Sequence, residues 1–107
     1  MSKRIEDLLH LYKDKLNVIL GQHIKKVILY GSYARGDFNS DSDIDVMILV
    51  DAEDIRECEN KIIDITYDFN MKYDTDIMPV VQNMTHFEHW KTTYMFYNNI
   101  SKEGMTI

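Results

Sequence analysis

The stretch Val27-Ile-Leu-Tyr-Gly-Ser-Tyr-Ala-Arg-Gly-Asp-Phe-Asn-Ser-Asp-Ser-Asp-Ile-Asp-Val-Met-Ile-Leu-Val50 decides how this chain is read. An apolar run, Val27 to Tyr30, breaks at Gly31-Ser32 and crosses a small polar loop. A second apolar run follows, with Asp43 and Asp45 set into it. Strand residues two apart point to one face, so the spacing projects the two carboxylates together, beside whatever the Gly31-Ser32 turn holds. Two carboxylates side by side repel unless a cation sits between them. Hard cations such as Mg2+ take oxygen ligands and commonly keep a substrate phosphate as well. Gly31 lets the backbone approach a ligand closely, and Ser32 offers a hydroxyl and a backbone N–H to an anion. A phosphate holder beside a metal holder is the logic of phosphoryl or nucleotidyl transfer.

Three other motifs fail on their own requirements. Gly31 to Gly36 has the two glycines of a phosphate-binding P-loop, but Asp37-Phe38 stands where Lys-Ser/Thr is needed. Asp37, Asn39 and Asp41 begin like an EF-hand loop, yet Ser42 replaces its glycine and Ile48 its bidentate Glu. A serine-hydrolase elbow needs Gly-x-Ser-x-Gly, and here Gly31 and Ser32 are adjacent. The plain alternative is an acidic turn capping a strand, with both aspartates merely solvated. A Gly-Ser turn upstream, between two strand-like runs, argues against it.

Gly31-Ser32, ten residues and then Asp43-Ile44-Asp45 resembles the signature of the polymerase-beta-type nucleotidyltransferases. Tyr33-Ala34-Arg35-Gly36 and Ser42-Asp43-Ile44-Asp45 narrow the likeness to the minimal nucleotidyltransferases (MNT) that partner HEPN-domain toxins. The resemblance extends over most of the chain. It implies an α/β (α+β) fold, a small mixed sheet flanked by helices. It implies that Gly31 and Ser32 hold the β- and γ-phosphates of ATP, and that Asp43 and Asp45 hold two Mg2+ ions. A third carboxylate on the next strand would complete the second metal site and help deprotonate the attacking hydroxyl. Asp74 and Asp76 both qualify; Pro79, a few residues on, makes Asp74 the preferred match. The resemblance further implies transfer of AMP to a tyrosine of a HEPN toxin, with this chain as antitoxin. Two other functions stay open: a binding module that neutralises its partner by contact, and transfer to a small molecule.

With 107 residues, 45% of them apolar, the chain is expected to form one globular domain over residues 1–107. There is little length left for a separate acceptor-binding domain. A net charge of −6 argues against direct nucleic-acid binding, which favours basic surfaces. The single cysteine, Cys58, permits no internal disulfide, in keeping with a reducing cytoplasm. No membrane-length apolar run occurs.

Along the chain, Ile5, Leu8, Leu9, Tyr12, Leu16, Ile19 and Leu20 recur at helical spacing, with Ser2 to cap the helix and Gly21 to end it. Strands are expected over residues 26–31 and 43–50. Arg35, three residues past Ser32, can meet a phosphate or pair with Asp37 or Asp41; the spacing does not choose. Ile55, Cys58, Ile62, Ile65 and Phe69 mark the buried face of a second helix, capped by Asp51 or Asp54 and running to about Lys72. Cys58 lies on that stripe and reads as a packed thiol. The run from Tyr73 to Val81 is expected as a third strand, parallel to the second and beside it, with Asp74 and Asp76 on one face. Thr85 with Glu88 forms a capping-box pattern. Tyr94 to Ile100 suggests a last helix, stopped by Gly104, with an edge strand after it.

Overall fold

The computed structural model describes residues 2–107. Helix α1 spans Lys3–Leu20, and the Ser2 side chain accepts the Ile5 N–H at its start. Gly21 takes a positive φ of 53° at its end, and a single 3-10 turn (Gly21–His23) leads into strand β1, Ile24–Tyr30. A four-residue helix, α2 (Ser32–Arg35), and a loop connect β1 to β2, Ile44–Val50. Helix α3 covers Arg56–Tyr73, and strand β3 covers Ile77–Asn83. Two short helices follow, α4 (Met84–Trp90) and α5 (Met95–Glu103), then strand β4, Met105–Thr106.

The four strands form one mixed sheet in the order β3-β2-β1-β4. β1 runs antiparallel to β2 and β4, whereas β3 runs parallel to β2, as the βαβ connection through α3 requires. β2 is thus interior, and six of its seven residues are buried; Asp45 is the exception. β3 is an edge strand. The Ile44 N–H donates to the Asp76 carbonyl at 2.9 Å, so even-numbered residues of β3 turn their backbone toward β2. Odd-numbered Pro79 therefore presents its nitrogen to the open edge, where a missing N–H breaks no ladder bond.

Alternation divides the core in two. Val27, Leu29, Val46, Ile48 and Val50 pack under α1 and α3, against Leu9, Tyr12, Leu16, Ile62 and Phe69. Ile28, Met47 and Leu49 pack on the opposite face, under Phe87 of α4 and Tyr97 and Ile100 of α5. Each such side chain contributes roughly 1.5–3 kcal/mol when fully buried. Tyr12, fully buried, shares a 2.6 Å hydrogen bond with Thr66 Oγ1, so the phenol carries no unmet polar atom into the core. Cys58 is buried and free, as its place on the stripe predicts.

Two boundaries differ from the sequence reading. The α3 helix continues to Tyr73 and needs a left-handed residue to end it; Asp74 takes that role with φ 51° and ψ 53°. Its N–H returns to the Asn70 carbonyl. The Asn70 side chain then fastens the connection, accepting from Ile77 N–H and Thr75 Oγ1 and donating to the Ile77 carbonyl. The third strand accordingly begins at Ile77, four residues later than the Tyr73 start read from its apolar pattern. At α4 the cap is Asn83, whose side chain accepts the His86 N–H at 2.9 Å, rather than Thr85.

Candidate active site

The site begins where β1 ends. Gly31 leaves the strand with φ 75°, a conformation that side chains rarely adopt. A Cβ built there would fall inside contact distance of Asp45 Oδ2, so the turn presses its bare backbone against the carboxylate opposite. Register accounts for the closeness: Tyr30 and Asp45 are Cα partners in the β1–β2 ladder. Ser32 follows at once as the first residue of α2. Gly31, Ser32 and Asp45 thus lie together on one cavity wall, and Asp43 precedes Asp45 by two residues.

Asp43 is exposed just before β2 begins, and Asp45 is half-buried one residue inside it. Burial raises the Asp45 carboxyl above its ordinary value; the Asp43 charge adds to this and Arg35 opposes it. Tyr30 is pushed up to about 12, by burial first and by the Asp45 charge second.

Of the two candidates for a third carboxylate, Asp76 lies beside the start of β2 and Asp74 caps α3. The Ile44 N–H bond to the Asp76 carbonyl fixes Asp76 beside the start of β2. There the neighbouring Asp43 carboxyl, through hydrogen bonding ahead of burial and of its charge, raises the Asp76 pKa. Asp74 instead caps α3 and does not share a strand face with Asp76. The preference for Asp74 rested on its spacing ahead of Pro79, and the shared face with Asp76 on a strand starting at Tyr73; in the structure α3 runs to Tyr73 and the strand starts at Ile77.

Arg35 answers the two options left open. Its Nε pairs with Asp37 at 3.2 Å and its Nη1 with Glu103 at 3.3 Å. Both pairs are solvent-exposed, so they are worth little individually and can be exchanged for an incoming anion. Asp41 is not its partner. Glu103, on α5, gives no sign of this role in the sequence, because 68 positions separate it from Arg35.

Two cavities flank the carboxylate row. One, of about 330 Å3, lies between the Gly31-Ser32 turn and α5 and reaches Tyr30, Arg35, Asp45, Phe96 and Asn99. The other, of about 520 Å3, opens beside Asp76, between Arg4, Tyr33, Ser42 and Thr75. An apolar groove of about 490 Å3 between α1 and α3 contains none of the motif residues.

The donor set suits a divalent cation of the oxygen-seeking kind. Asp43 stands two residues from Asp45, and its charge reaches both Asp45 and Asp76. Among the described residues, no group of three or more His, Cys, Asp or Glu side chains is placed to hold a metal ion. Mg2+ commonly rests on one or two carboxylates plus substrate phosphates, so an open row of this kind fits it.

Known proteins share this arrangement in sequence. The family model described as polymerase beta, nucleotidyltransferase matches residues 14–104, from α1 through α5. Two proteins of Methanocaldococcus jannaschii, each named "Putative protein adenylyltransferase", are similar along most of their length. One is 38% identical over 81 residues, covering 76% of this chain and 82% of that protein. The other is 32% identical over 106 residues, covering 99% and 96%. The matched span encloses the Gly31-Ser32 turn, the β2 aspartates and the β3 edge, and it leads to one assignment: the chain belongs to the polymerase beta nucleotidyltransferase family.

Proposed function

We propose that this nucleotidyltransferase moves AMP from ATP to a hydroxyl on a protein, namely a tyrosine of a HEPN-domain toxin, and so acts as its antitoxin. The observation that carries the chemistry is the Gly31-Ser32 turn pressed against Asp45, with Asp43 two residues before it. The printed name of both relatives supports a protein acceptor. The HEPN partner follows from the likeness of Tyr33 to Gly36 and Ser42 to Asp45 to the MNT antitoxins.

The roles follow from position. Gly31 and Ser32 hold the β- and γ-phosphates, and Arg35 turns from Glu103 to meet them. Asp43 and Asp45 would hold two Mg2+ ions, with Asp76 as the third carboxylate. Bound Mg2+ supplies charge neutralisation at the attacking and leaving oxygens. Asp76, on the side of the second cavity, accepts the proton of the tyrosine hydroxyl. The phenolic oxygen bonds to the α-phosphorus, the bond to the β-phosphate oxygen breaks, and pyrophosphate leaves.

The test is a co-incubation of the chain, ATP, Mg2+ and the HEPN protein, read by intact mass. Gain of one AMP on a toxin tyrosine, abolished by EDTA and by the double change Asp43→Asn with Asp45→Asn, is the expected result. A double variant that still silences the toxin as well as the wild type would instead assign neutralisation to contact alone.

A further inference from the structure

We infer that α5 provides the nucleobase subsite, with Phe96 stacking on the base and Asn99 reading its edge to select adenine. This rests on the nucleotidyltransferase reading above. The 330 Å3 cavity has the motif on one wall and α5 on the other. Phe96, Asn99, Ile100 and Glu103 occur at offsets of three, four and seven, which is one face of a helix, and all four line that cavity.

The two ends of this face are chemically distinct. Glu103 pairs with Arg35, so the C-terminal end of α5 marks where phosphate oxygens would go. Phe96 sits against Tyr30, with ring centroids 5.8 Å apart, and Tyr30 is the ladder partner of Asp45. The N-terminal end therefore lies past the reacting phosphate, where the ribose and base must extend. About 10 Å of helix separates the two ends, seven residues at 1.5 Å each. The Gly31-Ser32 turn, Arg35, Asp45 and Glu103 make the polar part of the wall, and aromatic ring surface comes at the Phe96 end, from Phe96 and Tyr30. Phe96 is 48% exposed, so part of its ring is free to take a base. An aromatic ring stacks on any base. Selection must come from a group that both donates and accepts, and the Asn amide matches the N6 amino donor and ring-nitrogen acceptor of adenine. Asn99 is the neutral residue on this face that can do so.

The experiment is calorimetric titration of the chain, in Mg2+, with ATP, GTP and inorganic tripolyphosphate. Phe96→Ala should weaken ATP and GTP alike, by on the order of tenfold, and leave tripolyphosphate unchanged. Asn99→Asp keeps the acceptor and removes the donor, so it should shift preference from ATP toward GTP, again with tripolyphosphate unchanged. Because Phe96 is half exposed, Phe96→Leu serves where Ala disturbs the fold. Undiminished ATP affinity and an unchanged ATP-to-GTP ratio in all three variants would overturn the subsite alone. A wild-type chain that binds neither ATP nor tripolyphosphate would overturn the transferase reading, and this one with it.

Discussion

At Asp76 the chain leaves the helix cap, and its carbonyl takes the Ile44 N–H before the side chain meets Asp43. Asp74, two positions earlier, ends α3 in a left-handed conformation and lines the second cavity with Asp76. Exchanging each for Asn separates the two jobs. Asp76→Asn is expected to lower turnover by about 10²–10⁴-fold, as for loss of a positioned proton acceptor. Asp74→Asn should leave turnover near the wild type, and Asp74→Gly should preserve or raise stability by up to about 1 kcal/mol, since glycine suits that conformation. Pyrophosphate release and urea melts measure both. Asp45 gives a pH test. Its folded pKa is raised, chiefly by burial and then by Asp43. A raised carboxyl favours the folded state below its ordinary pKa, and that contribution is lost as pH rises through the folded value. In the metal-free chain, Asp45→Asn should therefore melt a few degrees higher at neutral pH. The gap should shrink as pH falls into the carboxylate range; a gap that widens on acidification would contradict the assignment.

Among the elements, the β1–α2 turn carries the most geometry per residue. Gly31→Ala meets two penalties at once, a side chain at φ 75° and a Cβ against Asp45 Oδ2. The expected cost is about 1–3 kcal/mol of stability. Turnover should fall by roughly 10²-fold, since a displaced Asp45 misplaces the reacting groups by an ångström or so. Thermal melts and pyrophosphate release check the two arms. This turn was legible in the sequence because Gly31-Ser32, Asp43 and Asp45 lie close along the chain, and strand alternation alone aligns the carboxylates. The apolar faces of α1 and α3 were legible for the same local reason, a repeat that names its own buried side. The start of β3 was not. Tyr73-Asp-Thr-Asp-Ile alternates apolar and polar, and that pattern does not distinguish a strand from a helix end followed by its cap. The Asn70 side chain, which settles the matter, acts from seven residues away. Glu103, Phe96 and Asn99 were invisible as site residues because only tertiary packing brings α5 to the turn.

Taken as a whole, the molecule leaves β3 as an outer margin of its sheet. Met78 and Val80 of that strand are exposed on one face, 48% and 38% respectively. An apolar strand with an unpaired edge is a template on which another chain can build, the first step of aggregation. Pro79 interrupts the template, because its ring nitrogen faces outward and has no proton to give. Its cost inside the fold is small for the same reason. Pro79→Val should thus leave the melting temperature and turnover close to the wild type while increasing light scattering during refolding at high protein concentration. The residue first noticed as a landmark for counting aspartates would then be what keeps this chain soluble in its own company.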